Sequence, residues 1–421
     1  MFFFKNKTYQ KKLLNKLDAL LTHKFIGVVI FLIVIWIIFQ ATFGLGYYPM
    51  LWIEKLFFIS EKSIADYLPE SIFKSLLLFG ILKGVGGVVI FLPNIVILFL
   101  LLSLMEETGY MARVTLVMDK IMKRIGLSGK SFISLIMGFG CNVPAIMAAQ
   151  SIKNKNSRLI TILINPLMSC GARFTVYILF ISAFFPDNSG TVLFFLYLFS
   201  IIIATVLALI LKKFVFKKAS ETYNEDLPLL QLPSVKRIIQ SIWYHSFLFL
   251  KKITGAILIA SVVIWLLTYL PNRDSKNSDI EHSYIGMLGK FIEPVITPLG
   301  FDWRMGISII TGIAAKETIT GTLNELYQNT ANHEHDKASL IKNLKSQAYT
   351  TGEKKGQIIF TPLVALSFMF FVSLYTPCVA TIISIKKTTN SRKWTFFVIV
   401  YTTLLAWLVS FAIYNIGSLI V

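Results

Sequence analysis

Apolar runs about as long as a bilayer is thick recur along the whole chain. A helix crossing the hydrocarbon core needs about 20 predominantly apolar residues. Seven runs approach or exceed that length: Phe25–Thr42, Gly84–Met105, Leu159–Phe185, Val192–Leu211, Thr254–Leu270, Ile358–Ile385 and Thr395–Val421. Only 15% of the 421 residues are charged, against about a quarter in an ordinary soluble domain. Phe25–Thr42 is not a cleaved secretory leader, because it lacks a small-residue cleavage site and many more spans follow. The sequence predicts an all-α, polytopic helical membrane protein of about seven to eight spans.

The net charge of +19 does not point to nucleic acid. The basic residues punctuate the spans instead of gathering on a soluble domain, which is the pattern of positive-inside topology. Met1–Lys24 carries six Lys and one Asp, placing the N-terminus in the cytoplasm. Gly44–Lys74 and Pro271–Trp303 carry more acids than bases and read as outside, whereas Glu106–Lys130, Lys212–Lys252 and Lys386–Lys393 read as inside. The organisation expected is a basic N-terminal segment (1–24), a first membrane half (25–211), a basic cytoplasmic loop (212–253) and a second membrane half (254–421).

Inside the apolar run Phe132–Ala149 lies "GFGCNVPA", Gly138–Ala145, with basic residues on both flanks: Lys130 before it and Lys153, Lys155 and Arg158 after. Glycine and proline interrupt a helix, and flanks of one sign return the segment to the side it entered. Freed backbone groups persist at membrane depth only when buried in protein or lining a polar cavity. A simple kink is the plainer alternative. Ile309–Leu323, "IITGIAAKETITGTL", has the same character. Gly138 precedes Cys170 by 32 residues and Gly312 precedes Cys378 by 66, the excess matching a polar insertion at about Gln328–Gln357. Two re-entrant or broken-helix gate segments in an inverted repeat are the expected architecture, a recurring one among transporters.

The three cysteines, Cys141, Cys170 and Cys378, each fall in a glycine- or proline-interrupted segment. Cysteine is also tolerated simply as a small hydrophobe, but all three falling in breaks favours a shared role. Thiols beside freed carbonyls suit a divalent ion of intermediate softness such as Fe(II), Mn(II) or Zn(II), with Asn142, Met168 and Ser169 as neighbouring donors. Lys316 and Glu317 are candidate intramembrane charges, and Glu106 and Glu107 end a span. Intramembrane charge is functional by default, although Lys316 and Glu317 could also form a solvated interfacial pair. "GLSGKS" at Gly126–Ser131 lacks the first glycine of a phosphate loop, that position being Arg124. His333–His335 reads as a solvated cluster. No nucleophile–base constellation is visible, so no enzymatic activity and no bound cofactor are expected.

The stretch from "LMEETGYMARV" through "GFGCNVPA" to "NPLMSCGARF", with the later "AAKETITGTL" and "TPCVATIISIKK", strongly resembles the membrane domain of the FeoB family of ferrous iron transporters, from about Leu17 onward. The resemblance implies Fe(II), as substrate, taken up across the bacterial cytoplasmic (inner) membrane. It carries over Cys141, Cys170 and Cys378 as pathway thiols, with Glu107 and Glu317 as acidic positions. It also implies membrane lipid, a GTPase supplied by a separate chain and a small FeoA-like protein as partners, and leaves a homo-oligomer open. Where the family usually has a second serine and a proline around this motif, the chain has Gly171 and Thr175. The alternatives weighed are a gate-domain permease for a nucleoside-like solute and a non-transporting scaffold or sensor.

Overall fold

The computed structural model describes residues 18–23, 25–69, 71–215, 233–271, 282–327, 337–348 and 356–420. Most of the N-terminal segment, much of the 212–253 loop and His333–His335 lie outside the described residues. Every regular element among them is helical, apart from one isolated antiparallel bridge between Ala348 and Ile358.

Helix α1 (Ile26–Tyr67) opens the first half and runs on through Pro49. At 1.5 Å per residue it is roughly 60 Å long, so the part beyond Thr42, expected as an outside loop, is a helical extension carrying Glu54, Lys55, Glu61, Lys62 and Asp66. A short helical turn and a π-helical stretch, Leu76–Leu82, lead into α2 (Lys83–Glu107). Gly109, with φ of 75°, then turns the chain by 83° into α3 (Tyr110–Arg124). The sharp reversal needs the left-handed backbone that glycine adopts without strain.

The first gate follows as α4 (Gly129–Gly140) and α5 (Asn142–Ala148), then α6 (Lys155–Ile164) and α7 (Gly171–Phe184). Helices α8 (Ser189–Phe214) and α9 (Val235–Tyr269) connect to the second half. There α10 (Tyr284–Ile296) leads into α11 (Trp303–Ala314) and α12 (Thr318–Tyr327). Helix α13 (Lys337–Ser346) belongs to the polar insertion, and α14 (Pro362–Leu374), α15 (Val379–Thr389) and α16 (Arg392–Ile420) complete the fold.

Among the described residues five helical segments are long and apolar enough to cross a membrane, six if the bent α2–α3 pair is taken as one span. Two of the five are themselves broken, α6–α7 and α14–α15. These broken pairs are largely buried, whereas α8 and α16 turn rows of large apolar side chains outward, such as Phe194, Ile201 and Leu209, and Phe396, Val400 and Leu404. In water each such side chain would favour burial by about 1.5–3 kcal/mol; against lipid it is at home. The fold is thus a rim of lipid-facing helices around a core of interrupted ones.

Aromatic packing joins the halves. Phe180 of α7 lies 5.1 Å, ring centre to ring centre, from Phe368 of α14 and 5.7 Å from Phe360, and Phe368 meets Phe301 at 5.4 Å. Rings at these separations and tilts add about 0.5–1.5 kcal/mol per pair beyond the area they bury. Helices α7 and α14 are therefore locked at their flanks, and their breaks are held in fixed register.

Candidate functional site

The two gates share a plan down to single residues. Ser128 and Asp302 stand at the N-cap positions of α4 and α11, Asp302 accepting from the Met305 amide, and both helices run for 12 residues. Cys141 then breaks the first (φ −155°, ψ 128°) and Ala315 the second (φ −150°, ψ 132°). Three residues before each break stands a glycine. A Cβ on Gly138 would lie 2.8 Å from Asn165 Oδ1, and one on Gly312 would lie 2.4 Å from the Tyr375 hydroxyl. Only a bare backbone lets the partner break come this close.

Those partner breaks also match. Cys170 (φ −75°, ψ 164°) begins α7 and Cys378 (φ −62°, ψ 156°) begins α15. Each extended residue interrupts the i→i−4 ladder and leaves backbone groups without helical partners. All three cysteines thus occupy the residue immediately before a new helix, the place where the chain is least helical. Helix α7 runs unbroken through Thr175, whose hydroxyl donates to the Ala172 carbonyl at 2.8 Å.

The breaks converge on one cavity of about 140 Å³, lined by Cys141, Asn142, Cys170, Lys316, Glu317 and Cys378. Helices α1 and α2 close it with Thr42 and Asn94. Thr42 Oγ1, Asn94 Oδ1 and Asn142 Oδ1 are buried and have no hydrogen-bond partner. An unmatched buried acceptor costs about 1–3 kcal/mol, so these oxygens suit a site that receives a cation or water. Among the described residues no three His, Cys, Asp or Glu side chains come together closely enough to hold one metal ion. The thiols line a shared space and do not form a closed trap.

Two buried cations organise the walls. Arg173, 0% exposed, donates from Nη1 to the carbonyls of Pro166 (3.0 Å) and Met168 (3.2 Å), and from Nη2 to Tyr375 (3.3 Å). Lys316, 2% exposed, donates from Nζ to the Thr376 carbonyl at 2.6 Å and sits 3.0 Å from the centre of the Tyr375 ring. Lys316 is therefore buried, and the interfacial solvated pair considered from sequence does not form.

The other expected donors lie elsewhere. Glu107 is at the end of α2, 3.7 Å from Arg237, and does not line the cavity. Ser169 packs in the core, its Oγ 3.1 Å from the Tyr177 hydroxyl and 3.3 Å from that of Ser200. Met168 is buried against Gly138. Conversely, Thr42 and Asn94 escape a sequence reading because Thr42 reads as the ordinary end of an apolar run and Asn94 follows Pro93 inside a helix that continues unbroken. Arg173 carried a signal, a charge three residues after a break cysteine, but its carbonyl partners arise only from the turn the chain makes.

An all-helical membrane core with two matched broken-helix gates around one thiol-lined cavity defines a gate-repeat membrane protein. A family described as "Gate: Nucleoside recognition" matches residues 88–184 and 250–392, and one described as "Ferrous iron transport protein B C terminus" matches residues 193–244. The chain is 38% identical over 425 residues to the Fe(2+) transporter FeoB of Campylobacter jejuni, covering 99% of this chain and 67% of the relative. It is 41% identical over 414 residues to FeoB of Staphylococcus aureus, covering 97% and 60%. A Porphyromonas gingivalis "Fe(2+) transport protein A/Fe(2+) transporter FeoB fusion protein" is 42% identical over 442 residues, covering 97% and 52%. The chain belongs to the FeoB family. It spans about half to two thirds of the length of these relatives, and no solved structure matches it.

Proposed function

We propose that this chain is the permease unit of a ferrous iron importer in the bacterial cytoplasmic membrane, with its N-terminus in the cytoplasm and its two gates inverted relative to each other. The observation that carries the reading is the meeting of Cys141, Cys170 and Cys378, from breaks in both halves, on one cavity wall with Glu317. Soft thiol sulfur, a carboxylate and unmatched amide and hydroxyl oxygens form a mixed donor set that Fe(II), an ion of intermediate softness, accepts. Fe(II) is the cargo. Within this proposal Cys141, Cys170, Cys378, Asn142 and Glu317 face the ion; Met168 and Ser169 shape the break behind Cys170, and Glu107 acts at the end of α2.

The chain carries ions and catalyses no reaction of its own; a GTPase acting with it supplies or gates the driving force, as the family resemblance suggests. The fused Porphyromonas relative, by its name, supports a FeoA-like partner. Organic solutes fit less well, since pockets for drug-sized ligands run from about 300 Å³ upward and this one holds about 140 Å³. Uptake of radiolabelled Fe(II) under reducing conditions, in a strain without its own ferrous transporters, tests the reading. Expression of this chain together with its GTPase partner should restore uptake, and no uptake above the empty strain would refute it.

A further inference from the structure

In the shared plan of the two gates, Lys316 follows Ala315 as Asn142 follows Cys141. The first gate thus places a neutral amide with an unmatched oxygen on the cavity wall, and the second places a lysine there. Its ammonium takes the Thr376 carbonyl at 2.6 Å and the face of Tyr375 at 3.0 Å. A freed backbone carbonyl and an aromatic face are two of the surfaces a desolvated cation binds best. Thr376 lies in the same extended break as Cys378, two residues ahead of it. Glu317, the next residue on the wall, takes part in no ion pair among the described residues.

We infer that Lys316 is a tethered cation that occupies the carbonyl position of the second gate and competes with the transported ion for it. The inference rests on the transport reading above. A divalent ion in the cavity meets the like charge of Lys316, and repulsion between charges a few ångströms apart is only weakly screened at a buried site. The lysine stem is long and flexible, so the ammonium can leave Thr376 and swing to the carboxylate of Glu317. Passage then requires an exchange of cations at one carbonyl, and the gate stays occupied when no ion is present. Arg173, the other buried cation beside the breaks, is held by three carbonyls, so it fixes the break and Lys316 is the one that can yield.

The test is a titration of the purified chain in detergent with Co(II), read by sulfur-to-cobalt charge-transfer absorption. Lys316→Gln keeps a donor for Thr376 without the charge, Lys316→Met removes both, and Lys316→Arg keeps the charge. Both neutral variants should bind Co(II) at least about tenfold more tightly than the parent chain, and Lys316→Arg should not. In vesicles, Lys316→Gln should also admit Co(II) to an internal quenchable dye when the parent does not. Gel filtration separates misfolding from the effect, and Lys316→Gln carries the test if Lys316→Met fails to fold. Thiolate absorption in the parent and variants with unchanged affinity would overturn the tethered-cation role while leaving the ion path standing. No thiolate absorption in any of them would overturn both.

Discussion

Arg173 of the first half reaches the Tyr375 carbonyl of the second at 3.3 Å while holding the carbonyls of Pro166 and Met168 in its own break. One side chain therefore satisfies backbone in both halves of the chain, where lipid offers no hydrogen bonds.

Arg173→Ala should strip that support. Leaving buried acceptors unmatched costs about 1–3 kcal/mol each, so a loss of about 3 kcal/mol or more is expected. Arg173→Lys, a point charge without the fork, should fall between. Thermal unfolding in detergent gives the order, and an Arg173→Ala protein as stable as the parent would mean that the breaks hold themselves.

The cysteines should act as a set. Cys141→Ser, Cys170→Ser and Cys378→Ser each replace a soft sulfur with a harder oxygen of nearly the same size. Each should lower Fe(II) uptake several-fold with membrane insertion unchanged, and the effects should fall short of additive because the three share one cavity. Full uptake by the triple variant would remove the thiols from the path and leave it to oxygens.

Ala315 occupies the backbone position that Cys141 holds in the first gate. Ala315→Cys should therefore bring a fourth thiol to the cavity. Metal affinity should rise at least about tenfold, and Fe(II) uptake should slow as release becomes limiting. Faster uptake by that variant would contradict the idea that weak, dispersed ligation serves passage.

Labelling should settle the path of the first gate. With the native cysteines replaced by serine, Lys130→Cys and Arg158→Cys should both react with a membrane-impermeant thiol reagent from the cytoplasmic side only. Reaction of either from outside would make the segment a full crossing.

Much of this was legible in the sequence because break residues and hydropathy are local signals. Gly138 and Pro144 mark the first break, and Cys170 and Cys378 mark two more by their neighbours. The match between Gly138 and Gly312 even fixed the repeat register that the backbone shows. The sequence could not place Glu107 off the cavity, because a carboxylate ending a span looks the same whether it faces that cavity or an arginine such as Arg237. Thr42 and Asn94 were invisible for the opposite reason: a single polar residue in an apolar helix declares nothing until the partner across from it is known. The role of Lys316 needed the third dimension too, since its carbonyl lies 60 residues further along the chain.

The equal length of α4 and α11 has an electrical consequence. Twelve residues rise about 18 Å, somewhat more than half of a hydrocarbon core about 30 Å thick. If the hairpins enter from opposite faces, as proposed above, the cavity at their tips would sit near half the electrical depth of the membrane. Moving one charge across the full potential is worth about 2.3 kcal/mol per 100 mV. A divalent ion reaching the cavity from outside thus falls through half the voltage with two charges and gains about the same 2.3 kcal/mol per 100 mV. The second half of the drop remains to draw it onward, so an energised membrane divides its pull between arrival and release.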